Sequence, residues 1–186
     1  MPKVKQFVLI LAVLLAPTLV LTAKSTRQNE PNTPTVTRAV GVIHPIGKSK
    51  VHGVIVFTQT GKTVSVTGNV SGLTPGKHGF HVHEFGDCTD TEKGMSAGSH
   101  FDPGMKHKHG GPKARNRHTG DLGNITADDD GNAKVKIKDT VIKLNGMHSV
   151  IGRSIIVHAK EDDLKDIASA GPRIGCGVIG IAAPKK

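Results

Sequence analysis

Residues 77–84 read Lys-His-Gly-Phe-His-Val-His-Glu, and this stretch is predicted to be a β-strand whose two faces differ in chemistry. Because side chains two apart on a strand share a face, His81 and His83 project together. Phe80 and Val82 point the other way, into apolar packing. Two imidazoles on one rigid strand can clamp a metal ion. The polar edge of an amphipathic strand would look the same, so the rest of the chain has to decide between these two interpretations.

Short apolar and β-branched runs separated by turn signals lie on both sides of this strand. Gln59-Thr60-Gly61-Lys62 and Asp128-Asp129-Asp130-Gly131-Asn132 are typical of turns between paired strands. No helix of useful length is predicted, although residues 161–168 could form a short turn. About eight or nine short strands with this punctuation predict an all-β sandwich or flattened barrel. Besides 77–84, the predicted strands are 39–44, 51–58, 63–70, 125–127, 133–138, 141–144, 154–158 and 176–182.

The stretch 85–124 has no periodicity and is rich in Gly, Pro, His and Lys. A structureless loop of this length inside a compact domain is either functional or wrongly assigned, and metal ligands would order it where packing cannot. Imidazoles with one carboxylate suit zinc, copper, nickel or iron better than calcium or magnesium. His158, at the end of a predicted strand, could add a ligand or be a satisfied core histidine. The candidate ligands of the loop are His100, His107, His109, His118 and Asp121.

The formal net charge is +10, and the positive charges are scattered along the chain. A basic surface could bind a nucleic acid, an anionic membrane or a small anionic substrate, or could simply be solvated. There is no long run of Lys and Arg, and only 3% of the residues are aromatic, which argues against nucleic acid.

The amino terminus is predicted to be an export signal at 1–23. Lys3 and Lys5 precede an apolar run at 7–21, and small residues follow that run. Pro17 interrupts the run, which favours a cleaved signal over a spanning helix, with an uncleaved anchor as the alternative. We therefore expect a secreted or periplasmic protein with no stable membrane insertion after cleavage.

Beyond the signal, a polar segment at 24–36 is predicted to be a flexible linker, and 37–186 is predicted to be one domain. Cys88 and Cys176 are the two cysteines of the chain. In an oxidising compartment an even count favours one disulfide, with two buried thiols as the alternative. Closing a loop this long would stabilise the fold by roughly 4 kcal/mol on the chain-entropy estimate.

Five motifs stand in order along the chain: His81-Val82-His83-Glu84-Phe85-Gly86-Asp87, Ser96-Ala97-Gly98-Ser99-His100-Phe101, His109-Gly110-Gly111-Pro112-Lys113, Gly120-Asp121-Leu122-Gly123-Asn124 and Cys176-Gly177-Val178-Ile179-Gly180. With these motifs the sequence resembles, from about residue 39 onward, the copper/zinc superoxide dismutase family. The resemblance implies a Greek-key eight-stranded barrel with long metal-binding and electrostatic loops, which agrees with the strand pattern.

Carried over by motif, the resemblance assigns four histidines to copper, and three histidines with an aspartate to zinc. His100 belongs to both sets and would bridge the two metals as an imidazolate, which needs both ring nitrogens deprotonated. His107 is the alternative to His109 as a zinc ligand, and the Gly110-Gly111-Pro112 that follows His109 favours His109. The copper set is His81, His83, His100 and His158, and the zinc set is His100, His109, His118 and Asp121.

The resemblance also implies roles around the metals. Asp162 would orient one ligand imidazole from each set, or else be an exposed acid. Arg173 would attract superoxide, or else be a surface arginine. Cys88 and Cys176 would form the family disulfide. His78 is expected to be structural, and His44, His52 and His148 have no assigned role.

The implied reaction converts superoxide to dioxygen and hydrogen peroxide by one-electron cycling of copper. The ring of His100 would take up a proton when its bridge to copper opens. A non-enzymatic metal carrier and a copper-only relative are the alternatives. The carrier is disfavoured by an all-histidine copper set, and the copper-only relative by the presence of the whole zinc set.

Two departures from the family pattern stand out. Cys88 directly follows Asp87, with a long gap to His100, which could reshape the rim of the site and any dimer contact. The segment 160–172 is short for a loop that steers substrate. The sequence leaves open whether the chain forms a homodimer.

Overall fold

The computed structural model describes residues 35–105 and 108–184. The predicted export signal and all but the last two residues of the predicted linker lie outside the described residues, as does His107. Val36, at the end of the predicted linker, is tied to the domain by Asn145. The Asn145 side chain accepts from the Val36 amide at 2.9 Å and donates to the Val36 carbonyl at 2.7 Å.

Eight antiparallel strands close into a barrel in the order β1-β2-β3-β6-β5-β4-β7-β8. This confirms the predicted all-β Greek-key barrel. One three-residue 3-10 turn, Met95–Ala97, is the only helical element in the described part of the chain. The strands are β1 Arg38–Pro45, β2 His52–Thr60, β3 Thr63–Ser71, β4 Gly76–His83, β5 Asp121–Ala127, β6 Ala133–Asp139, β7 Ser154–His158 and β8 Arg173–Ile181.

β1, β2 and β3 alternate between buried and exposed side chains, as expected for strands with one face in water. β7 is buried throughout, and β4 is buried from His78 to His83. Their inward side chains, such as Phe80 and Val157, join the main apolar core. The other face of these two strands carries His81, His83, His158 and Ile156, and Ile156 packs with Ile46, Ala97 and Cys176. Full burial on both faces gives the metal-site strands a rigid frame.

The predicted strand at 141–144 is wrong. The side chain of Asp139 accepts hydrogen bonds from the backbone N–H groups of Val141 and Ile142, at 2.6 and 2.9 Å. Gln59 accepts from the N–H of Leu144 at 2.6 Å. Because side chains take up the donors that a sheet neighbour would need, the segment does not continue a ladder. One isolated bridge, between Lys143 and Ser149, remains.

Two strands begin three or more residues earlier than predicted, and both early starts carry site residues. β5 begins at Asp121, opposite His81, after a register shift in β4 between Gly79 and His81. β8 begins at Arg173, opposite His158, after a similar shift in β7. Such irregularities re-aim side chains and are common next to active sites. No helix among the described residues is long and apolar enough to cross a membrane.

Candidate metal centre

Four histidines from β4, β7 and the long loop converge outside the barrel wall. His81 and His83 project from one face of β4, and His158 projects from the neighbouring strand β7. The ring of His100 reaches them from the loop, 4.2 Å from the ring of His81 and 4.9 Å from that of His83, between centroids. One ligand atom from each of the four lies within 4.8 Å of the others. We call these four residues the first set.

In each of three members of the first set, one ring nitrogen forms a hydrogen bond. Nε2 of His81 donates to Oδ2 of Asp162 at 2.7 Å. Nδ1 of His83 donates to the carbonyl of Gly98 at 3.1 Å, and Nδ1 of His158 donates to that of Gly171 at 3.0 Å. These bonds fix the ring orientations and leave the other nitrogen of each ring as the acceptor.

Those other nitrogens are buried and have no hydrogen-bond partner. A buried polar atom without a partner costs about 1–3 kcal/mol, and natural folds rarely leave three together. A metal ion bound between the rings would satisfy all three, so the residues present fit a copper site. The three atoms are His81 Nδ1, His83 Nε2 and His158 Nε2.

A second set lies beside the first and consists of His100, His109, His118 and Asp121. Oδ1 of Asp121 lies 2.7, 3.2 and 3.3 Å from Nδ1 of His100, His109 and His118, respectively. The other oxygen, Oδ2, accepts the backbone N–H groups of Gly110 and His118, both at 3.0 Å. Three imidazole nitrogens around one anchored carboxylate form the donor set of a four-coordinate zinc site.

His100 belongs to both sets. Its Nδ1 faces Asp121 in the second set, so Nε2 is the nitrogen that remains for the first set. A ring that offers one nitrogen to each set can connect two metal positions directly.

The carboxylate of Asp162 also spans the two sets. Oδ2 accepts from Nε2 of His81 at 2.7 Å, and Oδ1 accepts from Nε2 of His109 at 2.9 Å. Asp162 is 1% exposed, and its Oδ1 also accepts the N–H of Leu164 at 2.7 Å. The structure therefore contains the predicted contacts of Asp162 with one imidazole from each set.

Arg173 lies beside the first set and is half-buried. Its guanidinium donates to the carbonyl oxygens of Gly94 and Gly98, at 2.5 and 2.6 Å. The carbonyl of Gly98 also accepts Nδ1 of His83, so one oxygen orients both the arginine and a ligand ring. Arg173 is also the cross-strand partner of His158. Its position beside the first set suits the attraction of a small anion.

The acid–base properties of the rings favour metal binding. Burial is the main cause that lowers the pKa of His100 to about 4 and that of His158 to about 3. Burial, followed by the neighbouring His100 and Arg173 charges, also holds the pKa of His83 well below its usual value. At neutral pH these imidazoles are neutral, which is the form that binds metals.

The two site carboxylates stay ionised. Burial by itself would raise the pKa of Asp121, but hydrogen bonds from His100 and His118 outweigh it and keep the pKa far below the usual range. The pKa of Asp162 is likewise lowered, because the bonds from His81 and His109 outweigh its burial. Asp121 therefore offers a charged oxygen to the second set.

Cys88 and Cys176 form a disulfide with their Cα atoms 5.8 Å apart. It ties the long loop to β8 three residues after Arg173. His78 contacts the carbonyl oxygens of His158 and Thr74, both at 2.8 Å, which fits its expected structural role. His44 and His52 are exposed on β1 and β2.

Sequence reasoning missed a buried ion pair beneath the second set. Arg117 donates through Nη2 to Asp139 and through Nη1 to the carbonyl oxygens of His118, Thr119 and Asp121, at 3.0 to 3.1 Å. It thereby braces the turn that carries His118 and Asp121, two members of the second set. The nearby Lys113 and Arg115 are exposed, and in the sequence Arg117 resembles them; no local signal marks it as buried.

Comparisons with known proteins agree with this geometry. The family model described as copper/zinc superoxide dismutase (SODC) matches residues 51–179. A curated relative from Mesembryanthemum crystallinum, superoxide dismutase [Cu-Zn] 2, is 45% identical over 157 residues, which is 80% of this chain and 97% of the relative. A solved structure described as a crystal structure analysis of the clock protein EA4 matches with a TM-score of 0.75 and 40% identity. That match covers 82% of this chain and 99% of the other.

Proposed function

The chain belongs to the copper/zinc superoxide dismutase family, so it is an oxidoreductase that acts on superoxide with copper and zinc, and we propose which residues hold each metal and where the enzyme works. The first set holds copper and the second set holds zinc. His100 supplies one ring nitrogen to each. The enzyme functions outside the cytoplasm, in a secreted or periplasmic compartment.

The observation that carries the assignment is the group of three partnerless ring nitrogens in the first set, beside Arg173. Copper, when bound, supplies the one-electron exchange with superoxide that redox-silent zinc cannot. The redox ion must therefore be the one within reach of the anion. The first set has the arginine next to it, whereas the second set contains the carboxylate that suits zinc.

The residues of the chain do the remaining work. Arg173 binds superoxide through a guanidinium that is always charged and offers several donors. Nε2 of His100 takes up a proton and delivers it to the departing peroxide, because its Nδ1 stays engaged in the second set. Asp162 keeps the ligand rings of His81 and His109 in orientation by accepting their remaining N–H groups.

The exported location is supported by the basic and apolar amino terminus at 1–23 and by the disulfide between Cys88 and Cys176, a bond that persists in oxidising compartments. Cell fractionation with mass spectrometry of the mature amino terminus tests this location. A cytoplasmic protein that starts at Met1 would contradict the proposal.

We also propose that the enzyme is a homodimer. Val42, Val54 and Val178 are 45–48% exposed on the outer face of β1, β2 and β8. β1 and β2 pair Val42 with Val54, and β8 flanks β1 on the other side, so the three form one apolar patch. In a twofold dimer the same patch of each copy would be buried against the other.

The decisive experiment combines metal analysis of the purified protein with a superoxide assay before and after chelation. We expect one copper and one zinc per chain, loss of activity when copper is removed, and its return when copper is added back. Activity that survives complete loss of copper would contradict the assignment of the first set.

A further inference from the structure

We infer that Asn124 is a positioning residue for both metal sets, because it holds Asp162 in place. Asn124 lies on β5 and is three residues beyond Asp121, the carboxylate of the second set. It touches no member of either set in the described contacts. The family motif that ends at Asn124 implies no role for this residue. This inference rests on the proposed metal assignment.

The side chain of Asn124 makes two hydrogen bonds with the backbone of a single residue. Its Nδ2 donates to the carbonyl oxygen of Asp162 at 2.9 Å, and its Oδ1 accepts the N–H of Asp162 at 2.8 Å. An amide side chain carries both a donor and an acceptor, so it can pair with a peptide group as a neighbouring strand would. Asn124 thus gives the loop residue Asp162 the backbone fixation that a sheet would provide.

This fixation matters because of what the carboxylate of Asp162 touches. Its two oxygens accept from His81 in the first set and from His109 in the second, at 2.7 and 2.9 Å. The residues that follow Asp162, from 163 to 168, are all exposed, so little packing orders the loop on that side. Asn124 joins the loop to the rigid barrel at Asp162, the residue whose position both sets require.

β5 therefore contributes two residues to the site. Asp121 sits at its first position as a member of the second set, and Asn124 clamps Asp162 from the same strand. The spacing between a metal-set carboxylate and the bridging carboxylate is therefore set by a buried strand instead of by the loop. Loss of outer partners of metal ligands typically costs 10–100-fold in affinity, and we expect about the lower limit here because Asn124 acts through Asp162.

The test uses the metal-loaded enzyme and the variants Asn124→Ala and Asn124→Asp. Ala removes both bonds, whereas Asp keeps the acceptor oxygen and loses the donor. We expect zinc release to a chelator to be about tenfold faster in both. We also expect cobalt(II) placed in the second set to show a changed visible spectrum, which a purely structural weakening of the barrel would leave alone. Asn69→Ala and Asn69→Asp, at an exposed asparagine on β3, are the matched controls and should release zinc at the wild-type rate.

A double variant shows whether Asn124 acts through Asp162. Asp162→Ala should accelerate zinc release at least as much as Asn124→Ala, and the double variant should be no faster than Asp162→Ala alone, since non-additivity marks residues that act through one another. Additive accelerations, or zinc release within twofold of wild type in both Asn124 variants with an unchanged cobalt spectrum, would overturn the inference. If wild-type protein bound no zinc at all, metal analysis would reveal it before any variant was made. The metal assignment and this inference would then fall together.

Discussion

Arg117 donates through Nη2 to Oδ2 of Asp139, and both side chains are only 2% exposed. The second oxygen of Asp139 accepts two backbone N–H groups, from Val141 and Ile142. The pair therefore connects the end of β6 to the turn at 118–121, which carries two members of the second set.

Asp139→Ala is expected to destabilise the metal-free protein by about 3–5 kcal/mol, because it leaves the guanidinium of Arg117 buried without its counter-charge. Denaturant unfolding of the metal-free protein measures this loss. Asp130→Ala, at an exposed turn, is the control and should change the free energy of unfolding by less than about 0.5 kcal/mol. Equal effects of the two substitutions would mean that the buried pair is not important for stability.

His83→Ala is expected to abolish dismutase activity while the barrel stays folded. The substitution removes one of the three partnerless ring nitrogens of the first set and leaves the strand pairing of β4 intact. A superoxide assay with copper analysis tests this, and circular dichroism verifies the fold. His52→Ala, at an exposed histidine of β2, should retain full activity. Full dismutation by His83→Ala would remove His83 from the copper set.

Arg173→Glu is expected to slow the reaction most at low salt and to lower copper content far less than it lowers the rate. The substitution reverses the charge next to the first set, and salt screens such long-range attraction. The rate as a function of ionic strength is the measurement. Lys136→Glu makes the same charge change on the exposed face of β6 and is the control. If both variants lost rate equally, net charge rather than the local arginine would guide superoxide.

The metal-free barrel is expected to lose stability as the pH falls below about 6.5. The folded-state pKa values of His100 and His158 are lowered to about 4 and about 3, so the unfolded chain binds protons that the folded chain does not. Each such proton lowers the free energy of unfolding by about 1.4 kcal/mol per pH unit within this window. Below about pH 3.8 the lowered pKa values of Asp121 and Asp162 extend the loss.

Thermal unfolding of the metal-free protein between pH 7 and pH 4 measures this dependence. The midpoint should fall steadily over that range. A flat midpoint would contradict the expectation, because it would show that these rings titrate in the folded protein as they do in the unfolded chain.

Val42→Glu is expected to give a monomer. The substitution puts a charge at the centre of the exposed valine patch that we propose as the homodimer contact. Sedimentation velocity of the metal-loaded enzyme is the measurement. Thr67→Glu, exposed on β3, is the matched control and should leave the oligomeric state unchanged. A wild-type monomer at the same concentration would contradict the dimer proposal.

Much of the barrel could be predicted because short apolar and β-branched runs are separated by clear turn signals. Side chains two apart on a strand share a face, which is enough to predict that His81 and His83 project together from β4. Composition was enough to name the candidate ligands of the long loop, but their assignment to a particular metal needed the motif resemblance, since no periodicity orders residues 85–124. The false strand at 141–144 shows the limit of the method. Its apolar residues suit a strand, but Asp139 and Gln59 capture its backbone donors from outside the segment.

Arg117 and Asn124 could not be predicted from the sequence for a related reason. Each acts through contacts with residues distant along the chain, 22 residues away for Asp139 and 38 for Asp162. Local composition marks Arg117 as one of several surface cations and Asn124 as an ordinary polar strand residue. Only the closed barrel brings them to their partners.

The carbonyl oxygen of Gly98 receives both the guanidinium of Arg173 and the ring of His83. One peptide group thus sets the separation between the cation that we propose guides substrate and an imidazole of the first set. A change in chain length between Cys88 and Gly98 would change the shape of the rim of the site. The distance between Arg173 and His83 would stay the same. The unusual cysteine placement in this chain can therefore coexist with an unaltered reaction centre.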